Sequence, residues 1–139
     1  CGSSASEAQS LGCEWDILSF AWLPSSCIDH ETTEKFRAAG PWRYYGDVGQ
    51  TVEISEEQFS QDNVTVYLTN EVHVAHCAYS WVKFHRAIAL GLKVHDQLPL
   101  LHTEHCSMVL TRWGDPNAIR TRAVIQYPKC GHFSSSFPG

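Results

Sequence analysis

Hydrophobic and polar positions along the chain change period several times, and each change suggests an element. Glu14 to Leu23 is dense in aromatic and aliphatic residues and stops at Pro24, which predicts a buried irregular or short helical segment. Asp29 with Thr32 three residues on can cap a helix of about residues 30 to 39, and Gly40-Pro41 stops it. Thr51 to Ile54 reads as a short strand, and Ser55-Glu56-Glu57-Gln58 as a capping-box helix start. Val64, Val66 and Leu68 alternate with Thr65, Tyr67 and Thr69, the period of a half-buried strand, with Asn70 ending it and capping the next element.

The longest helical pattern runs from about Glu71 to Leu90, with Gly91 as its stop; Val74, Ala78, Trp81, His85 and Ile88 would form its apolar face. A second helix is expected from near Pro99 to about Trp113, followed by a turn at Gly114 to Asn117 and a late strand at Ala123 to Tyr127. Residues 1 to 12 carry little apolar area and are expected to form a flexible tail ahead of a domain spanning 13 to 139. The fold class predicted is α+β: one small domain with two central metal-bearing helices and short strands, stabilised by disulfides.

At 139 residues the chain fits one core, and 43% hydrophobic against 18% charged content excludes global disorder. Its net charge is -5 and its ten Lys and Arg are scattered, so a nucleic-acid partner is not expected. No run of 18 apolar residues occurs, and neither an initiator Met nor a signal peptide is present; the expectation is a trimmed piece of a longer precursor. Six cysteines at 1, 13, 27, 77, 106 and 130 without a Cys-x-x-Cys pair read as disulfides. With the glycosylation sequon at Asn63, they point to a secretory or lumenal compartment.

Chemistry concentrates in a repeat. His73-Val74-Ala75-His76-Cys77 recurs as His102-Thr103-Glu104-His105-Cys106, 29 positions later (102 minus 73). Residues i and i+3 of a helix lie about 60 degrees apart, so each motif can aim two imidazoles at one centre. Two such helices side by side would present His73, His76, His102 and His105 as a metal site. Placement in a first helical turn disfavours the imidazolium and so favours the ligating form. Cys77 and Cys106 share a face with the first His of each motif and can join the coordination sphere or bond each other. The disulfide is the expectation in an oxidising compartment. Of the 15 connectivities six cysteines permit, Cys77 with Cys106 is the pairing expected, with Cys13, Cys27 and Cys130 competing for the rest.

His85 lies half a turn around the helix from His76. It and His132 are candidates for a second metal or an outer position, while His30 and His95 are expected in exposed loop or cap positions. Tyr44, Tyr45, Tyr79 and Trp81 are pocket candidates, although aromatics at helical spacing more often pack in a core. Catalytic residues beyond the metal site are not identified. No Gly-x-Ser-x-Gly elbow and no Gly-rich cofactor or phosphate loop occurs.

The twin motif, the aromatic segment Trp42-Arg43-Tyr44-Tyr45 and the Trp81, His85, Arg86 pattern resemble the fungal UstYa-like oxidases (DUF3328), over roughly residues 13 to 130. The resemblance implies a copper-dependent, dioxygen-using oxidase. Such an enzyme would tailor a small-molecule or peptide intermediate of secondary metabolism by dehydrogenation, hydroxylation, cyclisation or halogenation. It also implies a membrane-anchored precursor, a lumenal location in ER, Golgi or vesicle, and room for assembly with a second copy or a related member. The competing readings are a disulfide-rich binding module with structural zinc and a zinc hydrolase. The hydrolase is weakened because the first motif supplies no Glu as a general base.

Overall fold

The computed structural model describes residues 1–112 and 114–133, so Trp113 and the end of the polar tail lie outside the described residues. The fold is α+β, as the sequence predicts. Its first elements are α1 (Ala5–Ser10), a hairpin of β1 (Glu14–Asp16) with β2 (Ala21–Leu23), and α2 (His30–Ala38). A second sheet runs β4-β3-β5-β7, all antiparallel, from β3 (Tyr44–Tyr45), β4 (Glu53–Ile54), β5 (Val66–Thr69) and β7 (Ile119–Ala123). The short helix α3 (Glu56–Phe59) follows β4, the long helix α4 (Asn70–Leu90) follows β5, and α5 (Leu100–Thr111) packs against α4. Finally β6 (Lys93–His95) pairs with β8 (Cys130–His132).

Local signals account for most element ends. The Asp29 carboxylate accepts from Thr32 N at the start of α2, Ser55 and Gln58 form a reciprocal capping box on α3, and Gly91 closes α4 at φ +65, the left-handed geometry glycine adopts without a Cβ penalty. The cap of α4 is Thr69, whose hydroxyl accepts from Val72 N, and Asn70 is already helical. Among the described residues, no helix is long and apolar enough to cross a membrane.

The main core gathers Ile17, Leu18, Phe20, Phe36, Tyr44, Ile54, Phe59, Val66, Leu68 and Val72 between the sheet, the hairpin and one face of α4. That face is a correction. Its buried residues are Val72, His73, His76, Cys77, Ser80, Lys83 and Ala87, whereas Trp81 and Ile88 of the predicted apolar face are 43% and 52% exposed. The helix turns its polar residues inward because partners for them lie there.

Three further expectations are corrected. Residues 1 to 12 are no loose tail: the Cys1–Cys13 disulfide closes them into α1, whose Ala5 and Ala8 pack on Trp22. Residues 14 to 23 form a hairpin, with Trp15 opposite Trp22. The late strand is Ile119–Ala123, earlier than predicted, because pairing with β5 sets its position, and Gln126 bridges instead to Ala21.

Two disulfides are present. Cys27–Cys130 ties the turn after β2 to β8, across 103 positions. The predicted Cys77–Cys106 bond does not form: both are buried free thiols, hydrogen-bonded to one another.

Candidate metal centre

The two His-x-x-His-Cys motifs sit on α4 and α5, and the crossing of these helices pairs their histidines across motifs. His73 Nε2 stands 3.1 Å from His105 Nε2, and the rings of His76 and His102 meet edge to face at 5.7 Å. Two nitrogens each about 2.0 Å from one tetrahedral ion stand about 3.3 Å apart, so the first pair is already near ligating separation. The ligand atoms of His73, Cys77 and His105 all lie within 4.8 Å of one another. His76 and His102 lie outside that compact group, beside it on the same cavity wall.

The helix partners fix which ring nitrogen is offered. His73 Nδ1 bonds Thr121 Oγ1 at 2.7 Å, from β7. His76 Nδ1–H donates to the Leu18 carbonyl at 2.8 Å, since a carbonyl can only accept. Each ring is thus tethered at Nδ1 and presents Nε2, the arrangement by which outer partners orient metal-binding imidazoles. Phe20 stacks on the His76 ring at 4.6 Å and 12°. It is held there by a positive φ of 50, strained for an aromatic residue.

Burial keeps these rings neutral. His73 is pushed down to about 4, by burial first and then by His105 and His102. His76 falls to about 3, by burial and then His102, against the opposing Leu18 hydrogen bond. Desolvation is the largest cause of the shift in both rings. In the thiol pair the Cys77–Cys106 hydrogen bond pushes Cys77 up and Cys106 down to about 5, and burial adds to the first and opposes the second. His102 Nδ1, 3.8 Å from Cys106 Sγ, also favours the Cys106 thiolate.

His73, His76, His102 and His105 line a cavity of about 260 Å³. Phe20, Leu68, Leu98, Ala123 and Val124 give it an apolar wall; His73, His76, His102 and His105 form one side, and Ser80, Lys83 and His95 extend it. All four histidines chosen from the sequence are brought together. His85 and His132 are not among the lining residues, and both are exposed. Tyr44 and Tyr79 serve the core, Tyr45 is buried in the sheet, and Trp81 is exposed. None of these aromatics lines this cavity.

Sequence reasoning missed two cavity residues. His95, expected to be exposed, is 4% exposed, and burial first, then Lys83, lowers it to about 3. Lys83 is a buried ammonium held by Asp16 Oδ2 and Ser19 Oγ, both at 2.7 Å. Asp16 also accepts from Ser19, Thr33 and Leu18. Burial opposes its ionisation, but the attraction and hydrogen bond of Lys83 with the Ser19 and Thr33 bonds outweigh it and hold the carboxyl below its ordinary range. A Lys inside a helix face was the one signal present, since an unpaired buried ammonium is too costly to keep.

No family model matches the chain, and no solved structure matches it. Two fungal proteins are similar: the phomopsin biosynthesis cluster proteins B′ and B of Diaporthe leptostromiformis. Each is 28% identical over 122 residues, covering 79% of this chain. The chain spans 36% of the length of either relative.

Proposed function

We propose that this chain is a copper-dependent oxidoreductase of the UstYa-like kind, tailoring a small-molecule or peptide intermediate in fungal secondary metabolism. The observation that carries the reading is the His73–His105 pair: two Nε2 atoms 3.1 Å apart, one tethered from behind by Thr121, beside an apolar-walled cavity. The similarity to two fungal biosynthesis-cluster proteins supports the metabolic setting. Imidazole suits copper, zinc, iron and nickel; copper, when bound, supplies the redox cycling for dioxygen-dependent C–H functionalisation that zinc lacks.

His73, His105, His76 and His102 would hold the metal, with Cys77 the nearest sulfur donor. The protein's own part is positional. Thr121 and the Leu18 carbonyl fix ring orientation, Phe20 locks the His76 plane, and Leu68, Leu98, Ala123 and Val124 exclude water from the face a hydrocarbon group would occupy. In this reading the domain works in the secretory lumen, as a part of a membrane-anchored precursor, where its two disulfides persist. Asn63 is exposed and open to glycosylation.

The compact His73, Cys77, His105 group also favours a second reading, structural zinc, because nitrogen with thiolate is a zinc donor set. Metal analysis with electron paramagnetic resonance separates the two, followed by incubating apo, copper-loaded and zinc-loaded protein with extract from a producing fungus. Copper with nitrogen hyperfine structure, and product formation (loss of two hydrogens, gain of one oxygen, or gain of a halogen) by the copper form alone, is expected. Equal activity of the zinc form overturns the oxidase reading, and tight zinc with no product in any form favours the structural one.

A further inference from the structure

Five of the chain's eight histidines line the same cavity, and the fifth, His95, belongs to neither motif. It ends β6, opposite Cys130 of β8, and its Nε2 lies 3.2 Å from Ser19 Oγ. The bonding capacity of that hydroxyl decides the tautomer. A serine hydroxyl has one proton and two lone pairs. Its proton goes to Asp16 Oδ2 at 2.6 Å, and one lone pair accepts from Lys83 Nζ at 2.7 Å. Only a lone pair remains for His95, so Nε2 carries the proton and donates it.

A neutral ring protonated at Nε2 leaves a bare lone pair on Nδ1. That atom is buried and has no hydrogen-bond partner among the described residues. Buried polar atoms in native proteins are nearly always satisfied, and leaving one unpaired costs its desolvation. His95 lines the same cavity as His76 and His102, and neither bonds its Nδ1. A ring anchored at Nε2 through a hydroxyl to a carboxylate, with Nδ1 unspent, has the supporting arrangement of a ligating histidine.

We propose that His95 is a further ligand of the metal centre, binding through Nδ1, with Ser19 and Asp16 as its outer support. This rests on the metal-centre reading and extends it. His73 and His76 are tethered at Nδ1 and offer Nε2; His95 is tethered at Nε2 and offers Nδ1, so the two kinds of ligand are distinguishable by which nitrogen responds.

The test is imidazole proton–nitrogen correlation spectroscopy on 15N-labelled protein, metal-free and then titrated with zinc(II) as a diamagnetic probe. The metal-free spectrum is expected to show His95 as the Nε2–H tautomer. On saturation with zinc, His95 Nδ1 should shift together with the Nε2 resonance of His73. Shifts of His73 and His105 with His95 unchanged overturn the assignment and leave the metal centre standing. No response from any of the five rings overturns both. Independently, His95→Gln should lower zinc affinity, in competition against a chromophoric chelator, by at least the roughly 10- to 100-fold that losing a partner behind a ligand costs. Unchanged affinity in a folded variant counts against ligation, and the titration of the unaltered chain decides the matter if that variant does not fold.

Discussion

Replacing Lys83 by Met tests whether the inward polar face of α4 is a structural commitment. The ion pair with Asp16 is closed at 2.7 Å with side-chain exposures of 3% and 0%, so water cannot replace the lost ammonium. Removing one partner of a buried pair costs about 3–5 kcal/mol. Asp16 retains donors in Ser19, Thr33 and Leu18, which places the expected loss toward the lower end, about 3 kcal/mol, or roughly 10 °C in melting temperature for a chain of this size. The double variant Asp16→Asn/Lys83→Met removes both charges, so its cost should fall short of the sum of the single costs by at least about 1 kcal/mol. The assay is urea unfolding of metal-free protein with disulfides intact, followed by tryptophan fluorescence, at pH 7. Strictly additive costs, or a Lys83→Met variant as stable as the parent, would refute the reasoning.

Three other outcomes are expected from the same geometry. Cys27→Ala/Cys130→Ala opens a link across 103 positions and Cys1→Ala/Cys13→Ala one across 12; chain entropy gives about 4.7 and 3 kcal/mol, so thermal denaturation should rank the first pair as more damaging, and the reverse order would count against it. His73, His76 and His95 are held at about 4, 3 and 3 in the folded state, below the unfolded value of about 6.5. The unfolded chain therefore binds more protons, and metal-free protein should hold its stability above about pH 7 and lose up to about 1.4 kcal/mol per histidine per unit as pH falls from 6.5 towards 4; equal urea midpoints at pH 7 and pH 5 would contradict this. Thr121→Val frees the His73 ring and should weaken metal binding about 10- to 100-fold with little change in melting temperature, checked by chelator competition.

The helices α2, α3, α4 and α5 were legible because their signals are local: Asp29, Ser55, Gly91 and Pro99 stand within a turn of what they control. The twin motif was legible because helical spacing alone brings each His pair to one face. The buried face of α4 was not, since hydropathy ranks Trp81 and Ile88 above His76, Ser80 and Lys83, and the partner that makes Lys83 burial tolerable is 67 positions away. His95 gave no local sign either, its hydroxyl partner being 76 positions distant. Residues 1 to 12 read as a tail because composition does not register the Cys1–Cys13 link. The thiol pair at Cys77 and Cys106 was placed correctly in contact and given the wrong bonding state.

Every tether in the cavity spans a long stretch of chain: Leu18 to His76 over 58 positions, Thr121 to His73 over 48, Asp16 to Lys83 over 67. Such contacts form only once intervening loops have closed. A fragment covering both motifs, residues 73 to 106, would own six imidazoles, four of them in the motifs, and two thiols yet lack Leu18, Ser19, Phe20 and Thr121, which dictate how the motif rings point. During synthesis the motifs therefore emerge well before the centre exists, and its architecture is complete only when β7, nearly the last strand made, docks against β5. On the proposed metal-centre reading, metal acquisition would be a late event in this chain's maturation, one that reports a finished fold and does not nucleate it.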